Sequence, residues 1–395
     1  MRQACEAEES WTAGLCHLLY DAFMTDAAQH GKGRLHAEQR GAICCDVLDA
    51  WFDPSPMAIQ DMAGDGLAMK TSPDVLAKPL INAIAGARQI DPHCISVGAG
   101  SSELMYRVLP GLYGDGETVV LDPTYSEYPH LLQRDGRPIR RVSLCKENGF
   151  RASVKDIVVA SADASLVILV NPNNPTGQAL SRLEILELRN CLQSKATLWI
   201  DEAYVDYCPP GTSVEIDACD VEGLYVLKSM SKAYALSGVR AAYIVSSKSR
   251  TQESRRRTPP WIVGTLAQAA AIAAIHDREY YSAKWAESAI LLDEFASSVR
   301  DLGLNVYCGH INAILVEVPF GSTSAQWAES LAKAGLIVRT PEGMGNVLTN
   351  RFIRIGLPEP RLLSEVLRIL GATRKGMVRT LHPVNGTPGH DAGVG

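Results

Sequence analysis

Long apolar runs are missing from this chain of 395 residues. The longest apolar stretches, ASLVILV at 164–170 and AQAAAIAAI at 267–275, are far shorter than the roughly 20 residues that cross a bilayer as a helix. The first 23 residues carry three glutamates before their apolar part, which argues against a secretory signal peptide and indicates an amphipathic surface helix. We therefore expect a cytoplasmic protein without a membrane partner.

An excess of positive charge is also missing. The chain has 38 Lys and Arg against 44 Asp and Glu, a formal net charge of -6, and its basic clusters are short, such as ESRRRTP at 253–259. Because nucleic-acid binding depends on an extended basic surface, we do not expect nucleic acid as a partner.

Cysteine is present, but its spacing matches no metal or redox motif. The ten cysteines include no C-x-x-C pair, and the adjacent Cys44 and Cys45 are poorly placed for a disulfide with each other. We expect reduced thiols and no metal site, because the paired Cys and His clusters of zinc sites are lacking.

From about Pro79 onward, apolar strand-like segments alternate with helix-like segments. This pattern predicts an α/β fold with a mostly parallel sheet covered on both faces. Near residue 285 it changes to a long amphipathic helix followed by mixed strands and helices, which indicates a smaller α+β domain. We predict four segments: 1–70, an N-terminal segment that joins the small domain; 71–285, the large cofactor-binding domain; 286–376, the small domain; and 377–395, a disordered tail.

Four polar motifs follow apolar strands, and ligands of open α/β sheets bind at the carboxyl ends of the strands. In the first motif, VGAGSSELM, Gly100, Ser101 and Ser102 could cradle a phosphate at the start of a helix. The motif also resembles a dinucleotide fingerprint, with Asp122 about twenty residues further on, although Glu103 stands in place of the third glycine. Taken alone, the motif favours neither interpretation.

The other three motifs each offer one candidate side chain. In LDPTYSEYP, Tyr125 lies just past a strand and either stacks on a flat ring or packs in the core. The rigid turn NPNNPTG places Asn174 where its amide could meet a ring hydroxyl. In WIDEAYVDY, Asp201 ends a buried strand, so its carboxylate needs a partner. That partner is either a basic side chain or a protonated ring nitrogen.

Lys232 follows one more apolar strand, within KSMSKAYALSGVR. The spacing of Ser229 and Lys232 also occurs in serine acyl-enzymes, but the S-D-N and K-T-G elements of those enzymes are absent. A pyridoxal phosphate enzyme needs a lysine for a Schiff base, an acid that faces the ring nitrogen, a phosphate cup and a stacking aromatic. All four are present, each at the end of a strand.

Taken together, G-x-G-S, P-T-Y, N-P-N-N-P-T-G, D-E-A-Y and S-x-S-K-x-x-x-L-x-G-x-R resemble the fold-type I pyridoxal-phosphate aminotransferases of class I/II, over roughly residues 54–370. DEAYVDY, LSGVR and PPWIVGTLAQAAAIAAI are most similar to the histidinol-phosphate aminotransferase branch. The resemblance implies that Lys232 carries the cofactor and moves a proton, while Asp201 pairs with the ring nitrogen. The other implied cofactor contacts are Asn174 and Tyr204 at the ring oxygen, Tyr125 at the ring face, and Gly100, Ser101, Ser102, Ser229, Ser231 and Arg240 at the phosphate.

The same resemblance implies the substrates and the assembly. Arg354, in RFIRIG, would bind the α-carboxylate of the substrate through two parallel hydrogen bonds. The expected reaction moves an amino group between an amino acid or amine and a 2-oxo acid in two half-reactions. A homodimer with shared active sites is expected.

Three departures from the family pattern leave the reaction partly open. DAWFDPSP at 49–56 replaces N-E-N-P, Ser72 replaces the tyrosine that normally reaches the neighbouring subunit's phosphate, and Ala242 replaces a glycine. The first two changes affect the substrate pocket. They keep a lyase, a decarboxylase or an elimination–replacement enzyme, including one that acts on S-adenosylmethionine, as the alternative. A nicotinamide-dependent dehydrogenase would leave Lys232 and Asp201 without roles.

Overall fold

The computed structural model describes residues 41–63 and 70–381, with side chains through Gly376. The N-terminal helix predicted within the first 23 residues lies outside the described residues. So does the part of the predicted tail that follows Leu381.

A seven-stranded sheet forms the larger unit. Its strands, numbered along the chain and given in their order across the sheet, are β2 (Ile95–Gly98), β8 (Ala242–Val245), β7 (Leu224–Ser229), β6 (Thr197–Asp201), β5 (Leu166–Val170), β3 (Thr118–Asp122) and β4 (Ile139–Ser143). All neighbouring pairs are parallel except the two that β8 makes with β2 and β7. The predicted mostly parallel sheet is therefore confirmed.

Both faces of this sheet are covered. Along β5, Val167 and Leu169 face one buried cluster, whereas Leu166 and Ile168 face another. This explains why the strand is continuously apolar in the sequence. The helices of the larger unit are α1 (Pro56–Ala63), α2 (Lys78–Arg88), α3 (Ser101–Val108), α4 (Glu127–Arg134), α5 (Val154–Ala160), α6 (Arg182–Cys191), α7 (Lys248–Arg256) and α8 (Thr265–His276).

A second buried core lies in the C-terminal part of the chain. An antiparallel sheet, in the order β12–β10–β9, packs there with three helices. The elements are β9 (Asn305–Tyr307), β10 (Ala313–Glu317), β11 (Leu336–Ile337), β12 (Phe352–Gly356), α9 (Arg278–Asp301), α10 (Ser324–Lys333) and α11 (Leu363–Leu381). Strand β1 (Ile43–Cys44) pairs in parallel with β11, so the N-terminal segment is attached to this smaller unit.

Helix α9 links the two cores without a break. Tyr281, near its start, belongs to the core of the larger unit, whereas Phe295 belongs to the second core. The predicted boundary at 285/286 thus falls inside a continuous helix, between residues that pack in different cores. Helix α11 extends to Leu381, past the predicted end of the small domain at 376. The division into domains stays a prediction.

Candidate active site

The motifs that follow β2, β3, β5, β6 and β7 meet in one cavity of about 410 Å³, within the usual size range of small-molecule sites. They meet because the carboxyl ends of these strands lie along one edge of the sheet, apart from the antiparallel β8. Of the twelve predicted site residues, eleven line this cavity: Ser101, Ser102, Tyr125, Asn174, Asp201, Tyr204, Ser229, Ser231, Lys232, Arg240 and Arg354. The twelfth, Gly100, lies immediately behind it and contacts Arg240.

One end of the cavity is suited to an anion. Ser101 and Ser102 form the first turn of α3, where free N–H groups and the helix dipole favour negative charge. Gly100 precedes them with a φ of +91°, and a Cβ at this position would clash with the Arg240 guanidinium. Glycine is therefore needed here for both the backbone conformation and the approach of the arginine. Ser231 also lines the cavity, and its Oγ is 3.4 Å from Arg240 Nη1.

Asp201 lines the same cavity from the carboxyl terminus of β6 and is 4% exposed. The Tyr128 hydroxyl donates to Asp201 Oδ2 at 2.7 Å, and the Ala203 N–H donates to Oδ1 at 3.0 Å. Burial raises the pKa of the Asp201 carboxyl to about 6, and these two hydrogen bonds offset part of the increase. A cationic ring nitrogen at this position would stabilise the ionised carboxylate.

Two tyrosines and an asparagine also line the cavity. Tyr125 makes an edge-to-face contact with Tyr128, at 6.2 Å between ring centroids. Burial raises the pKa values of the Tyr125 and Tyr204 hydroxyls, which keeps both as neutral hydrogen-bond donors. Asn174 is buried, and its Oδ1 accepts a hydrogen bond from Arg354 at 2.8 Å. Its amide nitrogen is therefore the group that remains to meet a ligand oxygen.

Lys232 projects into the cavity from the loop after β7. Its Nζ lies 3.0 Å from Asp49 Oδ1, in the segment that departs from the family pattern. Burial lowers the pKa of the Lys232 amine, and the Asp49 carboxylate opposes that decrease. A lysine with a lowered pKa is a better nucleophile near neutral pH, because more of it is unprotonated.

Arg354 comes from β12 in the smaller unit and is 7% exposed. Nη2 donates to the Asp46 carbonyl oxygen at 2.5 Å, whereas Nε is buried without a hydrogen-bond partner. Burial lowers the pKa of the Arg354 guanidinium to about 10, and the nearby Arg339 adds to the decrease. The guanidinium remains charged at neutral pH, and Nε has a free N–H for an incoming anion.

These features fit pyridoxal phosphate. The glycine-dependent arginine and serine site suits a phosphate, the buried Asp201 suits a protonated ring nitrogen, and Lys232 lines the same cavity and offers an amine for the aldehyde.

The chain matches the model of aminotransferase class I and II over residues 53–370. It belongs to the class I and II aminotransferases. A histidinol-phosphate aminotransferase of Rubrobacter xylanophilus is 31% identical over 323 residues, which cover 81% of this chain and 87% of that protein. A threonine-phosphate decarboxylase of Salmonella typhimurium is 29% identical over 233 residues, covering 58% of this chain and 64% of that protein.

The solved structures agree on the fold. The histidinol-phosphate aminotransferase of Sinorhizobium meliloti, in complex with pyridoxal-5'-phosphate, superposes with a TM-score of 0.77 at 22% identity, covering 89% of this chain and 95% of that chain. The predicted fold-type I architecture, the histidinol-phosphate aminotransferase-like branch and the pyridoxal-phosphate-dependent aminotransferase function are confirmed. The substrates of an aminotransferase are an amino compound and an oxo acid.

Two competing interpretations lose their support in the aminotransferase structure. Asp122, the candidate ribose ligand of a dinucleotide site, instead accepts hydrogen bonds from the N–H groups of Asn346 and Val347, at 3.0 Å and 3.1 Å. Ser229, the candidate nucleophile of an acyl-enzyme, accepts a hydrogen bond from the Ser231 N–H at 3.3 Å. Both groups have structural partners.

The family departures have different structural outcomes. Ser72 is exposed and does not line the cavity. Ala242 is buried in β8, where it pairs with Ser229 of β7 and Gly98 of β2. In the 49–56 segment, Trp51 donates to Ser288 Oγ at 2.8 Å, and Asp49 faces Lys232.

Sequence reasoning missed four side chains of this site: Tyr128, Asp49, Ser237 and Arg339. Tyr128 carried a signal, since it lies three residues after Tyr125 and thus near the same face of a helix that starts there. Asp49 lies in the 49–56 segment that the family pattern places at the substrate pocket, but no spacing pairs it with Lys232. Arg339 comes from a segment that carries none of the motifs.

Metal and membrane features are absent from the described part of the chain. Within residues 41–63 and 70–381, no group of three or more His, Cys, Asp or Glu residues could hold a metal ion. Within the same ranges, no helix has the length and apolar character needed to span a bilayer.

Proposed function

We propose that this aminotransferase uses Lys232 as its covalent attachment point for pyridoxal phosphate and as the group that moves the substrate's proton. The observation that carries the proposal is the presence of Lys232, Asp201 and Arg354 in one cavity. The cofactor, when bound, supplies a ring that stabilises negative charge at the substrate carbon next to the amine. All other steps depend on side chains of the chain itself.

The cofactor would be held at both ends. Arg240, Ser231, Ser229 and the first turn of α3 would bind the phosphate, while Asp201 would pair with the ring nitrogen. The Tyr128 hydroxyl and the Ala203 N–H orient the Asp201 carboxylate toward the cavity. Tyr204 and the Asn174 amide would donate to the ring oxygen.

Lys232 is suited to moving a proton. Whenever its amine is not bound to the cofactor, burial would favour the neutral, basic form. The lysine would take the proton from the substrate carbon and return it to the cofactor side. This proton transfer is the step that interconverts amino and oxo acids.

Arg354 supports an anionic amino substrate. Its Nε has no hydrogen-bond partner although it is buried, and a second arginine, Arg339, lines the same wall. Two neighbouring guanidinium groups repel each other, so a carboxylate or phosphate between them is favourable. We infer that Arg354 binds the substrate's α-carboxylate. A phosphate at this place is the alternative, since the relatives' names include phosphorylated substrates.

The test compares the wild type with Lys232→Ala and with Lys248→Ala, a control at an exposed lysine paired with Asp91. Wild type and control should show a visible band with pyridoxal phosphate and should form glutamate from 2-oxoglutarate and a suitable amino donor. Lys232→Ala should lose both. Histidinol phosphate, O-phosphothreonine and the common amino acids are the donors to try.

Three results would contradict the proposal. The first is a visible band or amine transfer that survives in Lys232→Ala. The second is release of carbon dioxide without glutamate from every accepted donor, which would favour the decarboxylase alternative. The third is a donor preference that does not change in Arg354→Lys.

We also infer a homodimer in the cytoplasm. An apolar patch supports the dimer. Its residues are 39–52% exposed and come from α1, the loop before α2 and the loop before α8: Met57, Ile59, Met62, Val75, Leu76 and Trp261. The two loops are in contact, since the Trp261 N–H donates to the Val75 carbonyl oxygen at 3.0 Å. The free thiols of Cys94, Cys208 and Cys219 agree with a reducing compartment.

A further inference from the structure

Asp49 makes the closest polar contact of Lys232 among the described residues. Its Oδ1 lies 3.0 Å from Lys232 Nζ, and the side chains are 26% and 22% exposed. An ion pair that is mostly shielded from water is stronger than one on the surface. The carboxylate therefore acts on the nitrogen that carries the cofactor in the proposed function.

Asp49 keeps its place without the help of Lys232. The Ser237 hydroxyl donates to Asp49 Oδ1 at 2.6 Å, and the Asn312 side-chain amide donates to the Asp49 carbonyl oxygen at 2.9 Å. Ser237 belongs to the lysine loop, whereas Asn312 precedes β10 of the smaller unit. The carboxylate is thus fixed from both units, and it remains beside Lys232 when the lysine nitrogen changes its bonding partner.

We propose that Asp49 is a positioning residue that holds the Lys232 nitrogen and keeps a proton on it while the cofactor is attached. The inference rests on the proposed function of Lys232. The cofactor would supply an electrophilic carbon bonded to this nitrogen, and the proton held there by Asp49 would favour exchange of Lys232 for the substrate amine. The expected consequence is that Asp49 sets the pH range in which the enzyme accepts substrate.

The other charged groups near Lys232 act in the opposite direction or are more distant. Arg354 and Arg240 both disfavour a positive charge on the lysine, and Asp49 is the acid that favours it. Asp201 and Tyr204 line the same cavity, but both act on the pKa of Tyr125 and neither is among the main influences on the pKa of Lys232. Asp49 is therefore the group whose removal changes the balance at this nitrogen most directly.

The experiment measures the visible absorption of the holoenzyme from pH 5 to pH 10. Removing the carboxylate destabilises the protonated nitrogen, so the midpoint of the spectral change in Asp49→Asn should fall by about 1–3 pH units, the usual effect of one close opposite charge. Asp49→Glu, which keeps the charge, should stay nearer to the wild type than Asp49→Asn. Asp53→Asn is the matched control, because Asp53 is exposed on the same segment.

The outcomes separate the two claims. If the wild type shows no visible band, or if Lys232→Ala keeps it, the proposed function fails. If the band is normal but the midpoint of Asp49→Asn equals that of Asp53→Asn, only the role of Asp49 is overturned. Asn can still accept the Ser237 hydrogen bond, so a melting temperature more than about 5 °C below the wild type in Asp49→Asn would also count against a positioning role.

Discussion

Asp201 gives the cofactor-free chain a dependence of stability on pH. Its folded pKa of about 6 lies above the ordinary 3.8, because burial penalises the charged form. The folded chain therefore binds this proton more tightly than the unfolded chain. The resulting stability is fully present below pH 4 and is lost as the pH rises through about 6.

The corresponding prediction concerns Asp201→Asn. A difference of about two pKa units is equivalent to about 3 kcal/mol. Between pH 4 and pH 7, the cofactor-free wild type should therefore lose about this much more free energy of unfolding than cofactor-free Asp201→Asn. Urea titrations at both pH values measure it. Asp163→Asn, at an exposed aspartate, provides the control. If the free energy of unfolding changed equally with pH in all three proteins, the raised pKa of Asp201 would be contradicted.

Tyr128 shows how one buried side chain can support another at the residue scale. It is fully buried, donates to Asp201, and accepts a hydrogen bond from the Trp199 indole at 2.9 Å. The hydrogen-bonded series Trp199–Tyr128–Asp201 fixes the carboxylate through two side chains that are themselves fully buried. Such a network keeps the acid pointing at the ligand, and it limits how far burial raises the pKa of Asp201.

At the scale of the element, the N-terminus of α3 connects the sheet to the anion site. Strand β2 ends at Gly98, and α3 begins at Ser101, so only two residues turn the chain. Gly100 makes this turn at a φ that other residues rarely adopt, and it leaves room for the Arg240 guanidinium. The strand, turn and helix thus place three proposed phosphate ligands within a few residues.

The prediction at this scale is a comparison of Gly100→Ala with Gly86→Ala. The first change should weaken pyridoxal phosphate binding at least tenfold and should cost about 1–3 kcal/mol of stability, since it strains the turn and displaces Arg240. Gly86 lies within α2 with no heavy atom within 4 Å of a Cβ, so Gly86→Ala should stabilise the protein by about 0.5–1 kcal/mol. Fluorescence titration with the cofactor and urea unfolding measure both effects. Unchanged cofactor affinity in Gly100→Ala would show that Arg240 does not bind the phosphate.

At the scale of the whole molecule, the active site lies between two packed units. Lys232, Asp201 and Tyr204 come from the larger unit, whereas Arg354 comes from β12 of the smaller one. Asp46 and Asp49, from the segment after β1, lie between them. The proposed recognition of substrate by Arg354 and the proposed attachment of the cofactor to Lys232 therefore depend on how the two units are held together. Helix α9 and the β1–β11 pair connect the units.

The apolar patch around Trp261 carries the prediction on assembly. A glutamate in place of Trp261 would put a charge into the proposed dimer contact, so Trp261→Glu should shift the protein from dimer to monomer at micromolar concentration. Phe320→Glu is the control, because Phe320 is 92% exposed and lies outside the patch. Sedimentation velocity separates the two states. A monomeric wild type, or a Trp261→Glu variant that remains dimeric, would refute this interface.

The motifs alone determined the fold type, the cofactor and most of the cavity. This was possible because most of the predicted cofactor-binding residues lie at or just after the end of a strand whose apolar character is visible locally, and because parallel strands bring their carboxyl ends to one edge. Arg354 lies within β12 and was placed by the family pattern instead. The tertiary structure decided the rest. It placed Asp49 against Lys232, Tyr128 under Asp201 and Arg339 beside Arg354, and it gave the Asn174 oxygen to Arg354. The hydrogen-bonded pairs among these contacts join residues 73 to 183 positions apart in the sequence. Their geometry follows from the packing of the two units, which no local sequence pattern records.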